Sequence, residues 1–390
     1  MKHFRHPRRQ RRRSWENIVT MIKEYFSHVD KTLLFLVLGL TAFGLVVLSS
    51  ASSVRSYTEY NDAYYIFWHQ VQTGLIPGMI LFLFFVRFNY RTLERWTVYL
   101  YGAAIFLLLL VFVPGIGTIV NGSRSWVTIG FQFQPAEIVK LLLILSLAGW
   151  LAYRGEERNR DFWNGVVPFL GIIGLIAVLI LLQPDLGTLI VIAAIAGSMY
   201  FVAGARWPHL VGMGALGLAV FAVMVKIAPY RAARLLTFLH PELDPLGTGY
   251  HIGQAFIAVG SGGLLGLGLG QSRQKFAYLP EVVGDSIFAV MAEELGFFIV
   301  TAFIITVVWL SWHALKVALS ASDDYGRFIA VGISAWFFFQ AAFNMGAMVG
   351  LLPLTGIPLP FVSQGGTALA MSLGAAGILL NISRHTPKVQ

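Results

Sequence analysis

Three acids mark one passage in this chain. Between Gly268 and Gly296 (GLGQSRQKFAYLPEVVGDSIFAVMAEELG) a polar, glycine-rich segment gives way to an apolar helix, and Asp285, Glu293 and Glu294 lie along the way. An Asp at bilayer depth costs about 2.5–3.5 kcal/mol on insertion scales, so an acid at such a crossing is a candidate site. The alternative is that Asp285 only caps the helix that follows, because acids favour helix N-termini. Glu293 and Glu294 lie two turns further on and point different ways on a helix. They read as a structural polar network that meets a partner from another helix. A second constellation is Glu137 with Lys140, three residues apart on one helix face and therefore able to pair. Such a pair either ties helices together or lines a cavity where the lysine contacts an anion.

The composition says what scaffold must carry these groups. Of 390 residues, 57% are hydrophobic and 12% charged, and the mean hydropathy is +0.71. Soluble domains carry about 25% charged residues, so the chain is an integral membrane protein. The net charge of +9 does not point to nucleic acid. Its basic residues flank apolar runs and crowd the opening stretch MKHFRHPRRQRRR, which reads as a cytoplasmic segment against membrane lipids. The absence of cysteine excludes disulfides, thiolate metal sites and Cys nucleophiles. The histidines show no His-Glu-x-x-His pattern, and no metal site is legible. The first apolar run begins near Leu33 with no small-residue cleavage site after it, so it reads as an uncleaved helix.

A spanning helix needs about 20 predominantly apolar residues. Ten runs qualify: 32–52, 68–87, 96–114, 135–153, 164–182, 186–204, 209–228, 286–311, 328–350 and 365–383. The expected fold is an all-α integral membrane protein of about ten transmembrane helices. Most Lys and Arg fall in loops on one side, which places both termini in the cytoplasm. Residues 1–31 are then a basic tail, 32–383 a single polytopic membrane domain, and 384–390 a second short tail. Outer loops span 115–134, 351–364 and, between the seventh and eighth helices, 229–285. The last is too long for a plain connector, and its stretch Gln254–Gly260 is apolar enough to lie at the interface or re-enter. Gln134-Pro135 and Gln183-Pro184 each precede an acid, Glu137 and Asp185, and read as helix starts with Pro in the first turn. The run Ser261–Gly270 is not a dinucleotide fingerprint, because no strand precedes it and no βαβ unit surrounds it. Its glycines suit tight turns or close approach of backbone to a lipid headgroup.

The outer face therefore offers one carboxylate, Asp285, and several cations: Arg124, Lys140, Arg231, Arg234, Arg273 and Lys275. Above an apolar bundle, that set suits an amphiphile with an anionic headgroup, such as a polyprenyl-pyrophosphate sugar. Cations would stabilise a departing pyrophosphate while the carboxylate takes a proton from an attacking hydroxyl.

Across residues 30–385 the chain resembles the SEDS proteins (shape, elongation, division, sporulation), and more closely their FtsW-like division branch than the RodA-like elongation branch. The resemblance is carried by Asn121-Gly-Ser-Arg124-Ser-Trp126, Gln134-Pro-Ala-Glu137-Ile-Val-Lys140, Gln183-Pro-Asp185-Leu-Gly187-Thr188 and Gly249-Tyr250 leading to Gln254. It continues through Tyr278-Leu-Pro280-Glu281 before Asp285, Glu293-Glu294-Leu-Gly296, and Pro353 to Gly366. Gly268-Leu-Gly270-Gln-Ser272-Arg-Gln274-Lys275 favours the division branch. The resemblance implies a peptidoglycan glycosyltransferase that polymerises lipid II at the outer face of the bacterial plasma membrane, for septal wall synthesis. It also implies a class B penicillin-binding protein as transpeptidase partner, with other division proteins nearby. The family's essential acid maps onto Asp285 as general base. Candidate substrate-binding residues are Lys140, Glu137, Arg124, Arg234, Gln274, Lys275, Glu281, Asp185, Ser363 and Gln364. No cofactor is evident, although a divalent cation (Mg or Mn) could assist with pyrophosphate charge. Two departures stand out: Val283-Gly284 replaces the usual His-Thr before the acid, and Ser125 stands where Arg is common. Rival readings are a lipid II flippase or other transporter, which would place charges near the midplane, and a non-catalytic division scaffold, which would tolerate loss of Asp285.

Overall fold

The computed structural model describes residues 29–120, 122–227, 232, 236–240, 243–245, 247 and 249–385. Arg231 and Arg234 lie outside the described residues, as do the basic opening stretch and the last residues of the chain. Helices run in the order α1 (Lys31–Tyr60), α2 (Tyr65–Arg87), α3 (Thr97–Leu110), α4 (Pro135–Asn159), α5 (Phe162–Leu181), α6 (Leu186–Val202), α7 (Trp207–Ile227), α8 (Tyr250–Ser261), α9 (Ile287–Ser320), α10 (Asp324–Met348) and α11 (Gly366–Arg384). Among the described residues, eight of these are long and apolar enough to cross a membrane; α3 and α6 are shorter apolar helices. Each of the ten expected spans falls on a helix, and the protein is an all-α multi-pass membrane protein.

The packing is centred on α10, which lies against α4, α6 and α9, while α11 packs on α2 and α1 on α9. Fully buried Trp336, Phe337 and Tyr325 of α10 give this centre its bulk. Polar caps start the helices: Asp30 accepts from the Leu33 amide, Asp185 from the Thr188 amide and Asp323 from the Gly326 amide. The two Gln-Pro starts are not equivalent. Pro135 opens α4 in its first turn, as expected, but Pro184 precedes the capping residue Asp185 and stands outside α6.

The first outer loop departs from expectation. It folds as an antiparallel sheet, β1 (Gly117–Val120), β2 (Ser123–Ile129) and β3 (Phe131–Phe133), in which Thr118 faces Trp126 and Val127 faces Phe133. The signal was present: Asn121-Gly122 between two β-branched runs is a strong hairpin pattern. Ser123 Oγ ties the sheet to the Gln183 carbonyl at the end of α5.

The glycine-rich run takes the tight turns expected of it, with positive φ at Gly263, Gly266, Gly268 and Gly270. Helix α9 breaks at Gly296, which has φ +74° and ψ 179°, so the chain cannot continue its i→i−4 bonds there. The freed groups are met by the Gly262–Gly270 run. Leu267 and Gly268 amides donate to the Glu293 and Glu294 carbonyls, both at 3.0 Å. In return, Phe297 and Phe298 amides donate to the Gly263 and Leu264 carbonyls at 2.9 and 3.3 Å. A side chain at Gly266 would strike the Glu294 carbonyl, and one at Gly296 would strike the Gly266 amide. The close approach is therefore to the chain's own broken helix, and it satisfies backbone groups that lipid could not.

Candidate active site

Asp285 sits in the turn between the glycine-rich segment and α9, half-buried. The capping alternative fails, because Ser286 holds the N-cap position of α9. Ser286 Oγ donates instead to the Pro280 carbonyl at 2.8 Å, and His251 of α8 places Nε2 2.6 Å from the same oxygen. A hydroxyl has one hydrogen, so with that hydrogen on Pro280 the imidazole must be the donor. Glu281, in the same turn, lies 3.6 Å from Arg55 of α1, which also holds Glu59 at 2.8 Å.

A second loop, residues 351–365, closes on this turn. The Gln364 amide donates to the Val283 carbonyl at 2.8 Å, and Ser363 Oγ donates to the Gly284 carbonyl at 2.6 Å while accepting from the Leu359 amide. Gln70, at the π turn Val71–Leu75 of α2, grips the far end through the Ser363 carbonyl and the Gly365 amide. The hydroxyl of Ser363, expected at substrate, is thus used in holding the Asp285 turn.

Beneath both loops runs a buried polar row. Lys140 Nζ lies 2.8 Å from Glu137 Oε1 and 2.6 Å from Gln340 Oε1, with the face of Trp336 at 4.8 Å. Both charged side chains are at most 2% exposed. Gln340 Nε2 donates to the Pro358 carbonyl, and one turn further Asn344 Nδ2 donates to the carbonyls of Asp285 and Ile357. Burial and pairing put the Lys140 ammonium inside the bundle, where it supports the loops.

Lys275 is buried in the same way. Its ammonium is buried against Glu294 at 2.9 Å and the Gly270 carbonyl at 2.7 Å. Glu293 accepts from Ser272 Oγ and from the Arg273 and Gln274 amides, and Glu294 accepts from Ser50 Oγ of α1. The two adjacent acids do point to different partners, as expected, and pin residues 271–275. Asp185 caps α6 through both the Thr188 amide and hydroxyl. Arg124 of β2 is half-buried, with Nε unpartnered, while Arg273 extends an exposed side chain next to the pinned segment. Gln274 is half-buried with Oε1 unpartnered. Among the described residues no group of three or more His, Asp or Glu could hold a metal ion.

The sequence reading missed Gln340, Asn344, His251, Ser272 and Ser50. Gln340 and Asn344 could have been found as the two amides spaced i, i+4 in a run that is otherwise almost wholly apolar.

Residues 31–388 match the family model of the FtsW, RodA and SpoVE cell cycle proteins. The chain is 43% identical over 358 residues to stage V sporulation protein E of Bacillus subtilis (strain 168), covering 92% of this chain and 97% of that protein. It is 39% identical over 355 residues to a probable peptidoglycan glycosyltransferase FtsW of Trichlorobacter lovleyi, covering 91% and 93%. Among solved structures, a chain of a peptidoglycan synthase complex that couples polymerization and crosslinking superposes with TM-score 0.75 at 32% identity, over 91% of this chain and 98% of that one. The crystal structure of the Thermus thermophilus rod shape determining protein RodA does so with TM-score 0.67 at 30% identity, over 91% and 97%.

Proposed function

The chain belongs to the FtsW, RodA and SpoVE family of cell cycle proteins, and from that premise we propose that it is a peptidoglycan glycosyltransferase that polymerises lipid II, with Asp285 as its general base. The observation that carries this reading is the placement of Asp285. One half-buried carboxylate stands at the mouth of an apolar bundle, and its turn is held from three sides by α8, α10 and the 351–365 loop. Preorganisation of that kind is what general-base chemistry requires.

In the reaction, the 4-hydroxyl of the acceptor's GlcNAc attacks the anomeric carbon of the donor's MurNAc. The new C–O bond forms as the bond to undecaprenyl pyrophosphate breaks, with inversion at that carbon. The hydroxyl proton passes to Asp285, and the electron pair leaves with the pyrophosphate. Exposed Arg273 and half-buried Arg124 are assigned here to meet that charge. Lys140, Lys275 and Ser363 act behind the surface by fixing the loops. Among the described residues no cluster would hold a divalent cation, and no step here is assigned to one.

In this reading the site faces outward from the bacterial plasma membrane, both termini lie in the cytoplasm, and the work is done at the division septum, a reading supported by the similarity to FtsW relatives. A class B penicillin-binding protein crosslinks the strands made here. The test is purified protein given lipid II, with and without that partner. Glycan strands in either condition support the reading; lipid II transport in vesicles without any polymer overturns it.

A further inference from the structure

Asn344 lies on α10 one turn beyond Gln340, and it is 2% exposed. Its Nδ2 donates to two main-chain carbonyls in different segments, Asp285 and Ile357, both at 2.8 Å. A side-chain amide has two N–H hydrogens, and both are used. The orientation is not ambiguous, because a flipped amide would set its oxygen against two carbonyl oxygens. The bond to Asp285 is made at its main-chain carbonyl. Asn344 joins the turn that carries the acid to the loop that covers it, at a point where neither is in regular secondary structure.

Two further observations show that this joint is built. Gln340 makes the neighbouring bond to the same loop, at the Pro358 carbonyl, and its oxygen is itself fixed by Lys140 Nζ and Trp336 Nε1, each at 2.6 Å. Glu137 then anchors Lys140. The bonds from the interior ion pair through Gln340 and those from Asn344 to the backbone of the proposed base thus meet on adjacent residues of the loop, Pro358 and Ile357. Hydrogen bonds gathered in this way strengthen one another in a low-dielectric interior.

We infer that Asn344 is a positioning residue for the general base, setting the height and direction of the Asp285 carboxylate through its backbone. This deepens the functional reading above and rests on it. Asn344 makes no contact that a substrate would feel directly, so its loss should act on the chemical step and spare binding. A misplacement of about 1 Å is enough to cost a factor of about 10² in rate.

The test uses Asn344→Leu, which keeps the heavy-atom shape and removes both donors, in the full-length protein with its penicillin-binding partner. Lipid II polymerisation should lose at least about tenfold in kcat while KM stays within about threefold. Asn344→Ser, which keeps one donor on a shorter side chain, should fall between the two and serves if the Leu variant does not fold. A folded variant with wild-type kcat, or one whose loss is entirely in KM, overturns the inference. Asp285→Asn run in parallel separates the two levels. If Asp285→Asn polymerises at the wild-type rate, the assignment of the base fails; if Asp285→Asn is inactive and Asn344→Leu is not impaired, only the positioning role fails.

Discussion

Lys275 Nζ lies 2.9 Å from Glu294 Oε1 directly beside the break in α9, and each side chain is 2% exposed. A buried carboxylate left without its cation is strongly destabilising, typically by about 3–5 kcal/mol, whereas neutralising both partners together is far milder. Lys275→Ala should therefore lower the unfolding temperature of the detergent-solubilised protein, and Lys275→Ala with Glu294→Gln should recover most of the loss. Equal melting of all three proteins would show that the pair carries no stability.

The Glu137–Lys140 pair makes the same demand with a catalytic readout added. Lys140→Ala strands Glu137, whose second oxygen already lacks a partner, and removes the donor that fixes Gln340. We expect a loss of about 3–5 kcal/mol together with a fall in polymerisation rate. A variant that expresses, melts and polymerises lipid II as wild type does would refute both effects.

Asp285→Asn is nearly isosteric, and the backbone carbonyl that Asn344 holds is retained. Folding and lipid II binding should persist. Loss of a general base costs about 10²–10⁴ in rate, so strand synthesis should drop to background in a gel assay of polymer length. A scaffold would be indifferent to this change and would still support division in cells.

The opposite end of the bundle makes a pH prediction. Asp323 caps α10, and although burial opposes its ionisation, hydrogen bonds from Tyr90, the Gly326 amide and Arg91 outweigh that and hold its carboxyl below the ordinary value of 3.8. A depressed carboxylate contributes stability that is complete above 3.8 and is lost as the pH falls through the folded-state value. Asp323→Asn should melt below wild type at neutral pH, and the gap should narrow as the pH is lowered from about 6 to about 3. A gap that is constant with pH would show that the charge of Asp323 is irrelevant.

The sequence made the helices legible because lipid leaves little choice: a long apolar run must satisfy its own backbone. Boundaries were less secure. Helix α1 continues to Tyr60 through Ser52–Glu59, where polar side chains mask the helix from a hydropathy window while Arg55–Glu59 supports it. The sheet at 117–133 was missed because its strands are short and the stretch reads as a connector between apolar runs, although its pairing is local. Asp285 stands out in the sequence as an acid where a polar segment meets an apolar run. The inward direction of Lys140 and Lys275 does not, since a charge in a sequence carries no record of which way it faces. Their inward direction follows from partners on other helices, Gln340 and Glu294, at sequence separations that no local pattern reports.

The break at Gly296 bears on how the protein meets bilayers of different thickness. A straight helix of 34 residues would be about 51 Å long, far beyond the hydrocarbon core of about 30 Å. Divided at Gly296, only Phe297–Ser320, about 36 Å, has to match the acyl chains, and modest tilting absorbs the difference. The upper piece, with Asp285 just ahead of it, is moored to α8, α10 and the glycine-rich run. The depth of the Asp285 carboxylate is thereby set by protein contacts, so lipids of longer or shorter chain should tilt the lower piece and leave the carboxylate at its station.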